Sequence, residues 1–184
     1  AGLHTSLVSL GIGEGDEVIA TPLTFASSVN VIEHTGARPV LVDVEPDTLN
    51  INPELIEEAI TPRTRAIIAV HYAGHPAEMD QIYDLGRRYN LTIVEDAAHA
   101  FPARYRGKLI GSRDNPASFS FYATKNLTTG EGGALTGSPE FVEQARRLIL
   151  HGMSRDAWKR YQREGSWYYE IELPGFKYNM TDIQ

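Results

Sequence analysis

A chain of 184 residues with 42% hydrophobic and 22% charged side chains has a globular composition and is long enough to bury a core without metals or disulfides. Seventeen Lys and Arg against 24 Asp and Glu leave a net charge of -7, with no basic cluster longer than Arg87-Arg88 or Arg146-Arg147, which argues against nucleic-acid binding driven by phosphate neutralisation. The absence of Cys excludes a disulfide framework, a thiol nucleophile and a thiolate metal site; no apolar run approaches the roughly 20 residues of a membrane helix, and with no signal-peptide pattern the expected compartment is the cytoplasm.

Along the chain, Leu3, Leu7 and Leu10 recur at helical spacing and stop at Gly11. A short strand is expected at 16–20, a helix at 24–34 closed by Gly36, and a strand at 39–44. The alternation continues with helix 53–60, strand 66–71, helix 78–90 and strand 91–95. Past residue 100, short strands around 108–111, 117–122 and 133–136 follow one another before a helix at 139–150. Residues 152–178, including Ser166-Trp167-Tyr168-Tyr169, read as an irregular surface excursion, and Thr181 to Gln184 as the beginning of a capped helix. With a helical pattern entered at Ala1 without an upstream cap, both ends are expected to be those of a fragment.

Helices alternating with apolar, β-branched strands such as Ala66-Ile67-Ile68-Ala69-Val70 predict an α/β fold with a mostly parallel sheet covered by helices on both faces. Ligands gather at the carboxyl ends of such strands, which directs attention to 71–75, 95–99 and 122–126. Gly11-Ile12-Gly13-Glu14-Gly15 resembles a dinucleotide loop but follows a helix and precedes a strand, so a plain turn is expected. His71 and His75 have a metal-like spacing, yet Gly74 and Pro76 place them at a strand end and in a turn.

Two segments carry chemistry. Leu91-Thr92-Ile93-Val94-Glu95-Asp96-Ala97-Ala98-His99 runs from an apolar strand into two carboxylates, small residues and a histidine. A flat ligand can lie close to so small a backbone, and a carboxylate at its edge can hold a ring nitrogen protonated. Ala117 to Asn126 repeats the pattern, ending in Lys125 ahead of the glycine-rich 128–133. An amine between a strand and such a turn is poorly solvated, and burial favours the uncharged form that attacks aldehydes. Taken singly, Asp96 reads more readily as a solvated strand end and Lys125 as a surface lysine than as site residues.

Together with Gly-Ile-Gly-Glu-Gly-Asp-Glu-Val-Ile (11–19), Val-Asp-Val-Glu-Pro-Asp-Thr-Leu (42–49) and Ala-Ile-Thr-Pro-Arg-Thr-Arg-Ala-Ile-Ile (59–68), these segments resemble the DegT/DnrJ/EryC1/StrS sugar aminotransferases over essentially the whole chain. The resemblance implies the aspartate-aminotransferase fold (fold type I) and residues 1–184 as its pyridoxal 5′-phosphate-binding large domain, without the N-terminal segment and the C-terminal small domain. It implies Lys125 as the Schiff-base lysine and proton shuttle, Asp96 as the partner of the pyridine nitrogen, and His99 beside the ring's phenolic oxygen. Phe25 corresponds to the aromatic that stacks on the ring and Ser120 to a hydroxyl on the phosphate, which also meets the first helix near Ala1. Asn179 corresponds to an asparagine reaching the phosphate of a neighbouring subunit, which implies a homodimer.

The function so implied is transamination of a nucleotide-linked keto-sugar, with glutamate as donor and 2-oxoglutarate as its product. Segments 71–80, 95–100 and 174–183 look most like the branch that aminates the 4-keto position of a UDP-pentose for lipid A, within lipopolysaccharide biosynthesis, although Phe25 stands where that branch is expected to have tryptophan. Two alternatives are a sugar dehydratase of the same superfamily, whose members carry histidine in place of Lys125, and a non-catalytic regulatory relative.

Overall fold

The structure is a computed structural model, and it describes residues 1–154 and 169–184; Ser166, Trp167 and Tyr168 of the expected aromatic excursion lie outside the described residues. Its centre is a six-stranded sheet in the order β2-β1-β3-β4-β7-β8. The strands are β1 (Glu17–Ala20), β2 (Arg38–Leu41), β3 (Thr64–Val70), β4 (Thr92–Asp96), β7 (Ala117–Ser120) and β8 (Gly133–Thr136). All neighbours are parallel except β7 and β8, and the missing numbers belong to a separate hairpin, β5 (Arg104–Tyr105) with β6 (Lys108–Leu109).

Strand alternation divides the core between the two faces. Val18, Ala20, Ala66, Ile68, Val70 and Val94 point to one side, where Leu3 and Leu7 of α1 (Gly2–Ser9) and Val31 and Ile32 of α2 (Ser27–His34) cover them. Ile19, Ile67, Ala69 and Ile93 point to the other, under Ile56 of α3 (Pro53–Ala59) and Ile82 and Leu85 of α4 (Met79–Tyr89). Each fully buried Ile or Leu contributes about 1.5–3 kcal/mol, which makes this double layer the main source of stability. A fifth helix, α5 (Pro139–Leu148), packs on α1.

Local sequence explains where the elements begin. Asn52 accepts from the amides of Glu54 and Leu55 with Pro53 in the first helical position, and Ser138 accepts from Phe141 ahead of Pro139. Helix α4 has Asp80 in its first turn, Arg87 and Arg88 in its last, and Asn90 in the left-handed conformation beyond it. Gly86 lets α4 approach β4: a Cβ there would stand 3.1 Å from the Leu91 carbonyl.

Several expected boundaries move. The helix expected from Thr24 starts at Ser27, because Thr24 is held in the preceding loop with its hydroxyl 2.9 Å from that of Ser28. The strand expected to run to Val44 leaves the sheet after Leu41, and Val44 instead bridges Ile51 in antiparallel sense. The expected 91–95 strand ends one residue later, so Asp96 is its last residue. Thr181 to Gln184 form a turn closed by the Gln184 side chain on the Thr181 amide, rather than a helix. Among the described residues no helix is long and apolar enough to cross a membrane.

Candidate active site

The carboxyl ends of β1, β3, β4 and β7 share one edge of the sheet, and the expected chemistry lies along it. Asp96 closes β4 and is 7% exposed. Ser28, wholly buried in the first turn of α2, donates its hydroxyl to Asp96 Oδ2 at 2.7 Å, and the Ala98 amide donates to Oδ1 at 3.2 Å. Each oxygen thus takes one donor from the protein, and lone pairs remain for a donor arriving at the sheet edge.

Lys125 lies in the turn after β7, its amide bonded to the Tyr122 carbonyl. It is half-buried, and its Nζ is 2.8 Å from Nε2 of the exposed His99, so the amine has a specific partner. The two segments singled out in the sequence therefore meet. Register adds to this: Asp96 pairs with Ser118, and the Ala97 amide donates to the Ser118 carbonyl.

Ser120, two residues beyond Ser118, is half-buried and its hydroxyl accepts from the Tyr122 amide. Phe25 lies between Thr24 and Ser28 with its ring 82% exposed, a large apolar face that the protein leaves uncovered. Ala1 precedes α1 and offers no side-chain cap, which leaves first-turn amides available to an anion. Gly2 brings that turn against β7, since a Cβ there would fall 2.2 Å from the Ser118 hydroxyl.

Asn179 is placed differently. Its amide donates to the Met180 carbonyl and its oxygen accepts from Lys177, while Met180 packs on Gly132 and Gln184 donates to the Glu131 carbonyl. The described contacts bind Asn179 within its own segment, against the loop that follows Lys125, and none joins it to Asp96 or Lys125.

The set fits pyridoxal phosphate. A carboxylate with free lone pairs suits a protonated ring nitrogen, an amine suits an aldehyde, an uncovered aromatic ring suits a flat heterocycle, and the uncapped helix start suits a phosphate. Sequence reading missed Ser28 and Gly2, because each acts through a partner far away in the chain, and Thr24, which reaches the site only through Ser28. It also left His71 as a strand-end residue. In fact His71 is 1% exposed, with Nε2 at 2.8 Å from Glu95 Oε2 and Nδ1 accepting from the Ala77 amide, so both ring nitrogens are engaged within the protein. His75 sits in the adjoining turn.

Comparison with known proteins identifies the family and the fold. The chain is 62% identical over 185 residues to the "Uncharacterized protein MJ1066" of Methanocaldococcus jannaschii and 52% identical over 185 residues to the spore coat polysaccharide biosynthesis protein SpsC of Bacillus subtilis. Both matches cover 100% of this chain and 48% of the relative, so the chain spans about half the length of the curated relatives it matches. Among solved structures, DesV of S. venezuelae, in complex with a ketimine intermediate, matches with a TM-score of 0.89 at 44% identity, over 100% of this chain and 47% of that one. The mostly parallel sheet with helices on both faces is that of fold type I pyridoxal-phosphate enzymes. The model of the DegT/DnrJ/EryC1/StrS aminotransferase family matches residues 1–184, and the chain belongs to that family.

Proposed function

We propose that this chain carries the cofactor-binding part of a pyridoxal-phosphate-dependent sugar aminotransferase, with Lys125 as the residue that attaches the cofactor. The observation that carries the reading is the meeting of Lys125 Nζ with His99 Nε2 at 2.8 Å, on the sheet edge where the Asp96 carboxylate is buried. Family membership and neighbours solved in pyridoxal- and pyridoxamine-phosphate forms support it.

Pyridoxal phosphate, when bound, supplies an aldehyde that captures an amino group and a protonated ring that withdraws electrons from the reacting carbon. Asp96 would keep the ring nitrogen protonated, and Ser28 and the Ala98 amide hold its carboxylate in one orientation. Lys125 would hold the cofactor at its aldehyde carbon, and its Nζ, next to His99 Nε2, would carry a proton to or from the substrate carbon over a short distance. His99 steadies Nζ and would hold the ring oxygen, Phe25 would cover the ring, and Ser120 with the amides after Ala1 would receive the phosphate.

The substrate of this reading is a keto-sugar linked to a nucleotide, with glutamate as donor and 2-oxoglutarate released. A 4-keto UDP-pentose of lipopolysaccharide assembly is its finest form, supported by segments 71–80, 95–100 and 174–183. SpsC takes part, by its name, in spore coat polysaccharide biosynthesis, which supports a sugar substrate in general. In this reading the site is completed across a homodimer in the cytoplasm, where Asn179 would exchange its bonds to Lys177 and Met180 for the neighbour's phosphate.

The deciding experiment is absorbance with added pyridoxal phosphate. A band near the visible edge is expected in the wild type and absent in Lys125→Ala; no band in the wild type, or an unchanged one in the variant, would end the proposal.

A further inference from the structure

On the face of the sheet opposite Asp96 lies a buried polar cluster that the chemistry above does not use. Glu95 is 1% exposed and its carboxylate takes three side-chain donors: His71 Nε2 at 2.8 Å on Oε2, and Tyr83 OH and Asn115 Nδ2, each at 2.7 Å, on Oε1. Burial alone would raise the Glu95 carboxyl, but the bonds from His71, Asn115 and Tyr83 outweigh it and hold it below its usual value. The Arg113 guanidinium stacks 4.6 Å from the centre of the Tyr83 ring and adds a positive charge on the outer side, while Tyr105 and Lys108 line the same shallow cavity.

His71 ties this cluster to the site by three bonds. Its amide donates to the Asp96 carbonyl at 3.1 Å and its Nε2 meets the Glu95 side chain. Consecutive strand residues point to opposite faces, so any rotation of β4 that turns the Asp96 carboxylate must also swing Glu95 out of its three bonds. The third bond is the Ala77 amide on His71 Nδ1 at 3.2 Å, which closes the 71–77 turn. That N–H must point at an unprotonated nitrogen, so the proton of neutral His71 sits on Nε2 and is donated to Glu95. Within the turn, Gly74 has φ +84°, and a Cβ on it would stand 2.6 Å from the His99 carbonyl. The turn is thus the floor under His99, and His99 holds Lys125.

We propose that His71 and Glu95 are positioning residues, which from the far face of the sheet set the direction of the Asp96 carboxylate and the seat of the His99–Lys125 pair. The inference rests on the functional reading above, because it assigns the pair to the geometry of that cofactor site.

Glu95→Gln separates positioning from plain stability. The carbonyl oxygen of Gln still accepts from Tyr83 and Asn115, but its NH2 then faces the Nε2–H of His71. His71 can relieve that clash only by moving its proton to Nδ1, which sets it against the Ala77 N–H, and so the turn must shift. Tyr83→Phe removes a donor from the same carboxylate and leaves His71 untouched.

Two measurements on the full-length protein test the proposal. Nitrogen-15 NMR of labelled histidine, without cofactor, is expected to show His71 protonated at Nε2 in the wild type and in Tyr83→Phe, and altered in Glu95→Gln. The pH titration of the absorbance band formed with pyridoxal phosphate is expected to shift by about one unit in Glu95→Gln, a tenfold change in proton affinity, and by less than about twofold in Tyr83→Phe. Should Glu95→Gln not fold, His71→Gln carries the titration expectation, since it keeps a donor for Glu95 and gives up the ring nitrogen that accepts from Ala77. Protonation of wild-type His71 at Nδ1, an unshifted titration in Glu95→Gln, or an equal shift in Tyr83→Phe overturns the inference and leaves the functional reading standing. A wild type without a Lys125-dependent band overturns both.

Discussion

Glu17 anchors the amino end of β1, and neutralising it offers a clean test of how the sheet is held at the edge away from the site. The carboxylate is 1% exposed and accepts from Thr61 Oγ1 at 2.6 Å, Arg38 Nη2 at 2.6 Å, and Arg63 Nε and Nη2 at 2.8 and 2.6 Å. Glu17→Gln keeps the shape and one accepting oxygen but removes the charge from all of these bonds. Hydrogen bonds to charged groups are worth about 1.5–3 kcal/mol each, but both guanidiniums are more than half exposed and recover water, so the expected loss is about 1–3 kcal/mol in total. The Thr61 hydroxyl, then the Arg38 and Arg63 guanidiniums, hold the carboxyl at about 2 against the opposing effect of burial. A folded value below the unfolded one means that the stabilisation is complete above the ordinary carboxylate range, about pH 4.5, and is lost as pH falls toward about 2. Urea unfolding of wild type and Glu17→Gln followed by circular dichroism at pH 7, 4 and 2.5 is the assay. The gap between the two proteins should narrow steadily across that series. A gap below about 0.5 kcal/mol at pH 7, or one that does not change with pH, would refute the reasoning.

Two further substitutions probe the site. Ser28→Ala removes the buried donor to Asp96 Oδ2, and about 1–3 kcal/mol of stability should go with it. Pyridoxal phosphate should then bind roughly 5- to 10-fold more weakly, which corresponds to about 1 kcal/mol; equal affinity in a fluorescence titration would show that Ser28 does not orient the carboxylate. Gly74→Ala places a Cβ 2.6 Å from the His99 carbonyl at a positive φ, and the thermal midpoint should fall by an amount equivalent to about 1–3 kcal/mol, with the His99 NMR signals displaced. Wild-type His99 signals in that variant would remove the turn from the account of the site.

Elements with a strong local pattern were legible in the chain. The α4 helix pairs buried Met79, Ile82 and Leu85 with acidic and basic ends, and β3 is a continuous apolar run, so expectation and structure agree to within a residue or two. Boundaries failed where a side-chain bond or a bridge, rather than the periodic pattern, decides them. Thr24 is held ahead of α2 by its hydroxyl contact with Ser28, and Val44 leaves the sheet to bridge Ile51. The turn at Thr181 is closed by the side chain of Gln184 rather than by a helical ladder.

The same division runs through the site. Sequence alone singled out Lys125, Asp96 and His99 as candidates, because a resemblance is carried by side-chain types in order, and strand ends followed by polar residues are visible as such. It did not reveal that His99 meets Lys125, that Ser28 donates to Asp96, or that His71 and Glu95 pair on the opposite face. Those are relations between residues separated by 24 to 68 positions. Parallel strands can be joined only by long crossovers, so a parallel sheet necessarily builds its ligand edge from distant segments, and only the tertiary structure brings them together.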